Sequence, residues 1–123
     1  MKRIETSNAP AAIGPYSQGF VSGGLVFTSG QIPMDPATGL PAGDSIEQQA
    51  RQSCKNVAAV LEAGGSSLKK VVKTTCFLAD MADFPAFNRV YEEFFTEKPA
   101  RSCVAVRELP KDVLCEIEAV AEL

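Results

Sequence analysis

The segment Phe95 to Val106, "FTEKPARSCVAV", passes from a helical pattern into a strand pattern, and Arg101 stands at the turning point just after Pro99 and Ala100. A guanidinium is always charged and holds its donors in a planar fork. At the mouth of an apolar strand it can therefore grip a small carboxylate through two parallel bonds. It can equally be an exposed strand-end cation or a structural partner of Glu116 or Glu118. In "CEIEAVAEL", Glu116, Glu118 and Glu122 alternate onto one strand face. One of them could take up and return a proton, whereas as a set they describe a solvated face. Tyr16 follows a Gly-Pro turn in "GPYSQ" and reads as a plug for the core edge or as a pocket phenol; Cys103 reads as a small core residue or a thiol. The chain has no histidine, which excludes Ser-His-Asp and Cys-His catalysis, His-ligated zinc and ribonuclease chemistry by paired histidines. Acid–base work falls to Asp, Glu, Tyr, Cys, Lys or the termini.

The elements that must position these residues fit one domain of 123 residues, with 46% apolar and 22% charged side chains. With a net charge of −3 and no basic run longer than Lys69-Lys70, nucleic acid is a disfavoured partner. No apolar run reaches the ~20 residues of a membrane span. The start "MKRIETSNAP" lacks the apolar core of a secretory signal, so a cytoplasmic location is expected. Cys54, Cys76, Cys103 and Cys115 form no C-x-x-C pair and are expected as free thiols, mostly in the core.

Residues 17–22 and 25–29 flank Gly23-Gly24 and predict a hairpin. "GQIPMDPATGLPAGD" is a loop. Ser45 and Gln48 form a capping box that starts a helix, and Gly64-Gly65 stop it. Residues 70–79 predict a strand. Asp83 is expected to cap a second helix whose Phe84, Phe87, Tyr91, Phe94 and Phe95 make an aromatic stripe for the core. Strands over roughly 101–107 and 114–122 complete the order β-β-α-β-α-β-β, an α+β domain with two helices on one face of a mixed sheet. Along the last two strands Arg101, Cys103 and Ala105 share a face, as do Cys115, Ile117, Ala119 and Ala121. The half-polar face left uncovered predicts oligomerisation, with polar residues gathered at an interface site.

Three segments in order, "APAAIGPYSQG", "FTSGQIPMDPATG" and "PARSCVAVRELPKDVLCEIEAVA", resemble the RidA (YjgF) family of reactive-intermediate imine deaminases. The resemblance spans essentially the whole chain. Its C-terminal segment is the longest and most specific, and Arg101 aligns it with the archetypal deaminase branch. It implies a single RidA-like domain over residues 1–123, a chorismate-mutase-like fold, and a homotrimer whose sheets form a central barrel with sites at subunit interfaces. Carried over by motif, Arg101 grips the substrate carboxylate and Glu116 holds and activates water. Tyr16 lines the pocket from a neighbouring subunit. Ser29 and Gly30 give a wall and backbone donors, Cys103 a backbone contact, and Asn88 a further contact from the second helix. The connection "FFTEKPAR" is shorter than in several members and borders the pocket, so the resemblance leaves substrate size open.

The implied reaction is hydrolysis of 2-imino acids and their enamine tautomers, such as 2-iminobutanoate and 2-iminopropanoate, to 2-keto acids and ammonia, with no metal or cofactor. The substrates are released by pyridoxal-phosphate enzymes such as serine/threonine dehydratases. Two rival readings are a non-catalytic binder of small 2-keto or carboxylic acids and a single-stranded RNA endoribonuclease.

Overall fold

The computed structural model describes residues 1–123. It opens with a strand that the sequence pattern does not announce: β1 (Lys2–Ile4) pairs antiparallel with β2 (Gly19–Ser22). Only Ile4 of these three residues is buried, too little to give a period. β2 turns into β3 (Leu25–Thr28) with Ser22 opposite Leu25. The link between them, Gly23 and Gly24, takes φ of 60° and 77°, the left-handed pair that a two-residue hairpin needs and glycine adopts without strain.

Helix α1 (Ile46–Ala63) starts at the expected capping box: Gln48 N donates to Ser45 Oγ (3.1 Å) and Ser45 N donates to Gln48 Oε1 (3.2 Å). Its buried face carries Ile46, Ala50, Cys54, Val57 and Leu61, but also the polar Gln49 and Asn56. Both tie down loops. Leu114 N donates to Gln49 Oε1 (2.8 Å), and Asn56 Nδ2 donates to the carbonyls of Ile32 (3.1 Å) and Met34 (2.9 Å). The long Pro/Gly-rich loop is thus held without periodic structure of its own.

β4 (Val71–Leu78) precedes α2 (Phe84–Phe94), followed by β5 (Ala100–Ala105) and β6 (Cys115–Glu122). Asp83 does not cap α2 as expected: its backbone is helical and its side chain makes no cap bond. The donor it would meet at the second helical position is missing because Pro85 stands there. Asp80 caps the preceding 3₁₀ turn instead, accepting from Ala82 N (2.8 Å). Phe87, Tyr91 and Phe95 pack along α2, with centroids 5.9 and 4.4 Å apart. Phe87 is fully buried, so truncating it to alanine is expected to cost about 3–5 kcal/mol.

The sheet order is β1-β2-β3-β6-β4-β5, antiparallel except for the β4–β5 pair. The last strand in sequence therefore sits between β3 and β4. Both helices lie on one face, over the buried Cys115, Ile117, Ala119 and Ala121 of β6. Where they meet, Arg51 donates to both carboxylate oxygens of Glu93 (3.2 and 3.1 Å); this pair is exposed and adds little. The other face carries Phe27, 41% exposed, and Val104, 47% exposed, beside Glu116, Glu118 and Val120. No helix is long and apolar enough to cross a membrane.

Candidate active site

Strand alternation places the two leading candidates on opposite faces of the sheet. Arg101 pairs in register with Thr74, whose side chain is buried under the helices, whereas Glu116 pairs with Phe77 on the uncovered face. Three residues along and two strands across put their Cα atoms roughly 14 Å apart. Within one chain they cannot act on the same carbon. The seven sequence-derived site residues accordingly fall into two clusters.

The first cluster is Arg101, Asn88 and Cys103. Arg101 Nη1 donates to Asn88 Oδ1 (2.8 Å), and the guanidinium lies over the rings of Tyr91 (4.7 Å) and Phe84 (5.3 Å). The Tyr91 hydroxyl shares a 2.6 Å hydrogen bond with buried Thr74 Oγ1, which fixes the ring beneath the cation. Phe84, Asn88 and Tyr91 stand at i, i+4 and i+7, on one side of α2. The aromatic stripe is therefore core, as expected, but it is also the seat of the arginine. An asparagine interrupting such a stripe is the sequence signal for that second role. Arg101 has no carboxylate partner, and the single salt bridge is Arg51–Glu93. The structural pairing of Arg101 with Glu116 or Glu118 is thus ruled out within the chain, and most of its donors are uncommitted.

Cys103 lies two residues along on the same face, partly buried. Its thiol pKa is lowered to about 7, first by the neighbouring Cys76 thiol and then by the nearby charge of Arg101, against a partial burial that opposes both. Val106 N donates to Leu78 O (2.9 Å). Because backbone polarity alternates along a strand, Arg101, Cys103 and Ala105 direct their N–H groups to the open edge of the sheet.

The second cluster is Tyr16, Ser29, Gly30 and Glu116, all lining one cleft of about 960 Å³. Gln31 exchanges two backbone bonds with Ile117 (2.7 and 3.2 Å), pinning the loop after β3 against β6 beside Glu116. A Cβ built on Gly30 would collide with Glu116 Oε2, so any side chain there would push the carboxyl aside. The Gly30 N–H has no acceptor within the chain. Ser29 Oγ donates to Ser17 O (2.5 Å), which makes it a wall. The Glu116 carboxyl is half-buried and raised above its ordinary pKa, chiefly by burial and further by the charge of Glu118. Tyr16 is 54% exposed and does not plug the core. Its loop is organised by buried Gln18, which accepts from Thr6 N (2.7 Å) and donates to the Thr6 (3.0 Å) and Pro10 (2.8 Å) carbonyls.

Sequence reasoning missed Gln18, Tyr91 and Lys111. Lys111 lines the same cleft on a turn where it and Asp112 both take left-handed φ, 58° and 54°. Such strain in two consecutive non-glycine residues is characteristic of functional loops, and "LPKD" alone does not announce it. No group of three or more Cys, Asp or Glu side chains converges in a way that could hold a metal ion.

Comparison with known proteins agrees with the resemblance along nearly the full length. A family model described as Endoribonuclease L-PSP matches residues 6–123. The 2-iminobutanoate/2-iminopropanoate deaminase of Salmonella typhimurium is 57% identical over 124 residues, covering 98% of this chain and 96% of that protein. The protein of the same name from Escherichia coli strain K12 is 55% identical, with the same coverage. Among solved structures, E. coli TdcF with bound serine is 50% identical, superposes with a TM-score of 0.96, and is matched over 100% of this chain and 99% of that one.

Proposed function

The chain belongs to the RidA (YjgF) family, and from that membership and the chemistry of its two clusters we propose that it is a 2-imino acid deaminase. The reaction is hydrolysis of R–C(=NH)–COO⁻ by water to R–C(=O)–COO⁻ and ammonia, with substrates of the 2-iminobutanoate and 2-iminopropanoate class. The observation that carries this reading is the Glu116 carboxyl, desolvated and raised in pKa, beside the unpaired Gly30 N–H in an open cleft. A carboxyl tuned upward is a better match to both halves of the proton cycle at neutral pH. It accepts a proton from water as that water adds to C2 of the iminium. It then returns that proton to nitrogen and takes the hydroxyl proton as the carbonyl forms and ammonia leaves, and finally releases it to solvent. Arg101 holds the substrate carboxylate through its uncommitted donors, and the edge N–H of Cys103 and the side chain of Asn88 add contacts. Tyr16 and Ser29 close the pocket.

Arg101 and Glu116 lie too far apart in one chain, so the complete site joins the arginine cluster of one subunit to the cleft of another. A homotrimer supplies three such sites by symmetry. The uncovered sheet face, with Phe27, Phe77, Val104 and Val120, is the surface that would close into the central barrel of the chorismate-mutase-like assembly. The substrate class is one that pyridoxal-phosphate dehydratases release, which places this activity downstream of them. The endoribonuclease reading is disfavoured on chemistry: the cleft presents two glutamates, the net charge is −3 and the chain has no histidine.

The test is to generate a 2-imino acid in situ with an amino-acid oxidase and follow its hydrolysis with and without the protein. Faster decay in proportion to protein concentration is expected. Equal rates, combined with retained affinity for a 2-keto acid, would replace the enzyme with a binder.

A further inference from the structure

We propose that Cys76 and Cys103 form a reversible disulfide within one chain, making Cys103 an oxidation site that controls the strand carrying Arg101. The two cysteines are directly paired in register across the parallel β4–β5 ladder. Neighbouring strands lie about 4.8 Å apart, inside the Cα separation of roughly 4.4–6.8 Å that a disulfide spans. Both side chains point to the helix-covered face. Cys76 is fully buried, and partly buried Cys103 packs against the same core. The thiols are close enough to interact, and that contact, together with Arg101, is what draws the Cys103 thiol toward ionisation at neutral pH.

The contrast with the other cysteines is instructive. Cys54 and Cys115 are both fully buried, and burial pushes both thiols up. They have neither the thiolate nor the access that oxidation requires. Only Cys103 combines partial exposure, a cation nearby and a second thiol at its back, the arrangement of an attacking and a resolving cysteine.

The oxidant is a hydroperoxide. The Cys103 thiolate attacks one oxygen of hydrogen peroxide; the O–O bond breaks, hydroxide leaves and is protonated to water, and Cys103 becomes a sulfenic acid. The Cys76 sulfur then attacks the Cys103 sulfur. The S–O bond breaks, the hydroxyl leaves as water with the Cys76 proton, and the S–S bond forms. Two thiols are oxidised and one peroxide is reduced to two waters. A directly cross-strand disulfide is strained, so a dithiol reopens it readily. While closed, it clips β5 to β4 two residues from Arg101, so strain in the bridge is passed to the strand that carries the guanidinium.

The experiment treats the full-length protein with hydrogen peroxide and maps it without reduction. Trypsin places Cys76 in peptide 74–89 and Cys103 in peptide 102–107. The expected product is these two peptides joined, from protein that still runs as a single chain on a non-reducing gel and has lost the mass of two hydrogens. Dithiothreitol should reverse it, with imine hydrolysis falling and returning in step. In Cys76→Val the join should vanish and Cys103 should gain oxygen atoms that dithiothreitol does not remove. Oxygen added to wild-type Cys103 without the join, a disulfide between chains, or unmodified cysteines would each overturn the proposal. The mass readout does not depend on the deaminase reading: a join formed in a protein without imine hydrolysis would leave the disulfide standing and remove the activity.

Discussion

Replacing Arg101 by alanine separates holding a substrate from holding the fold. In the folded chain the guanidinium rests on Tyr91 and Phe84 and donates one bond to Asn88. Cation–ring contacts at a partly exposed site contribute about 0.5–1 kcal/mol each. The bond to Asn88 adds a comparable amount, offset by relief of a cation with no counter-charge. The variant should therefore lose only about 1–2 kcal/mol of stability. Catalysis should suffer more. Truncating one partner of a desolvated, hydrogen-bonded charge pair costs about 2–5 kcal/mol, which at 1.4 kcal/mol per tenfold is between roughly thirty-fold and several thousand-fold in kcat/KM. Arg101→Lys keeps the charge but loses the flat stacking on Tyr91 and the paired donors, so it should be nearly as inactive while melting close to the parent. Thermal melts and imine hydrolysis on both variants supply the comparison. Normal activity per folded molecule in Arg101→Ala, or near-parental activity in Arg101→Lys, would refute the clamp.

Glu116→Gln keeps shape but cannot accept a proton, so turnover should collapse while 2-keto acid binding, read by calorimetry, survives. Because burial raises the Glu116 pKa, stability is lost as pH rises from the ordinary carboxylate value through the raised one, and the cost is absent only below the ordinary value. The glutamine variant should therefore melt higher than the parent at neutral pH and converge with it in acid; equal melts throughout would contradict the burial argument. Glu118→Gln removes one of the two influences that raise Glu116, so the acid limb of the pH–rate profile should move to lower pH, and an unmoved limb would disconnect the pair. Gly30→Ala should push the Glu116 carboxyl out of position, lowering kcat with the fold retained; parental kcat would show that the approach is incidental.

The features legible in the sequence were those governed by local rules. The Ser45–Gln48 box, the Gly23-Gly24 hairpin and the period-two burial of β6 each follow from contacts a few residues apart. What sequence order cannot give is the lateral order of strands, because β6 is inserted between β3 and β4 by packing across the whole chain. β1 has one buried residue, and Pro85 removed the donor that Asp83 needed, so the cap moved to Asp80. At the site, motif resemblance gathered seven residues without dividing them between the two faces of the sheet. The seating of Arg101 by Tyr91 and Thr74, and the close approach of Glu116 to Gly30, are long-range and emerged only from the fold. Gln18 and Asn56 were overlooked for a related reason: buried amides that satisfy loop carbonyls look like surface residues in a sequence.

The central claim is that a working site takes Arg101 from one subunit and Glu116 from another. Subunit exchange between Arg101→Ala and Glu116→Gln, each inactive alone, tests it directly. In a mixed trimer, an intact site forms wherever the arginine comes from a Glu116→Gln chain and the glutamate from an Arg101→Ala chain, which is about one quarter of sites at equal mixing. Imine hydrolysis should reappear at about that fraction of the parental rate once mass spectrometry shows exchanged trimers. Fully exchanged trimers with no recovered activity would place both residues in one chain's site, or neither in any, and the account would fail.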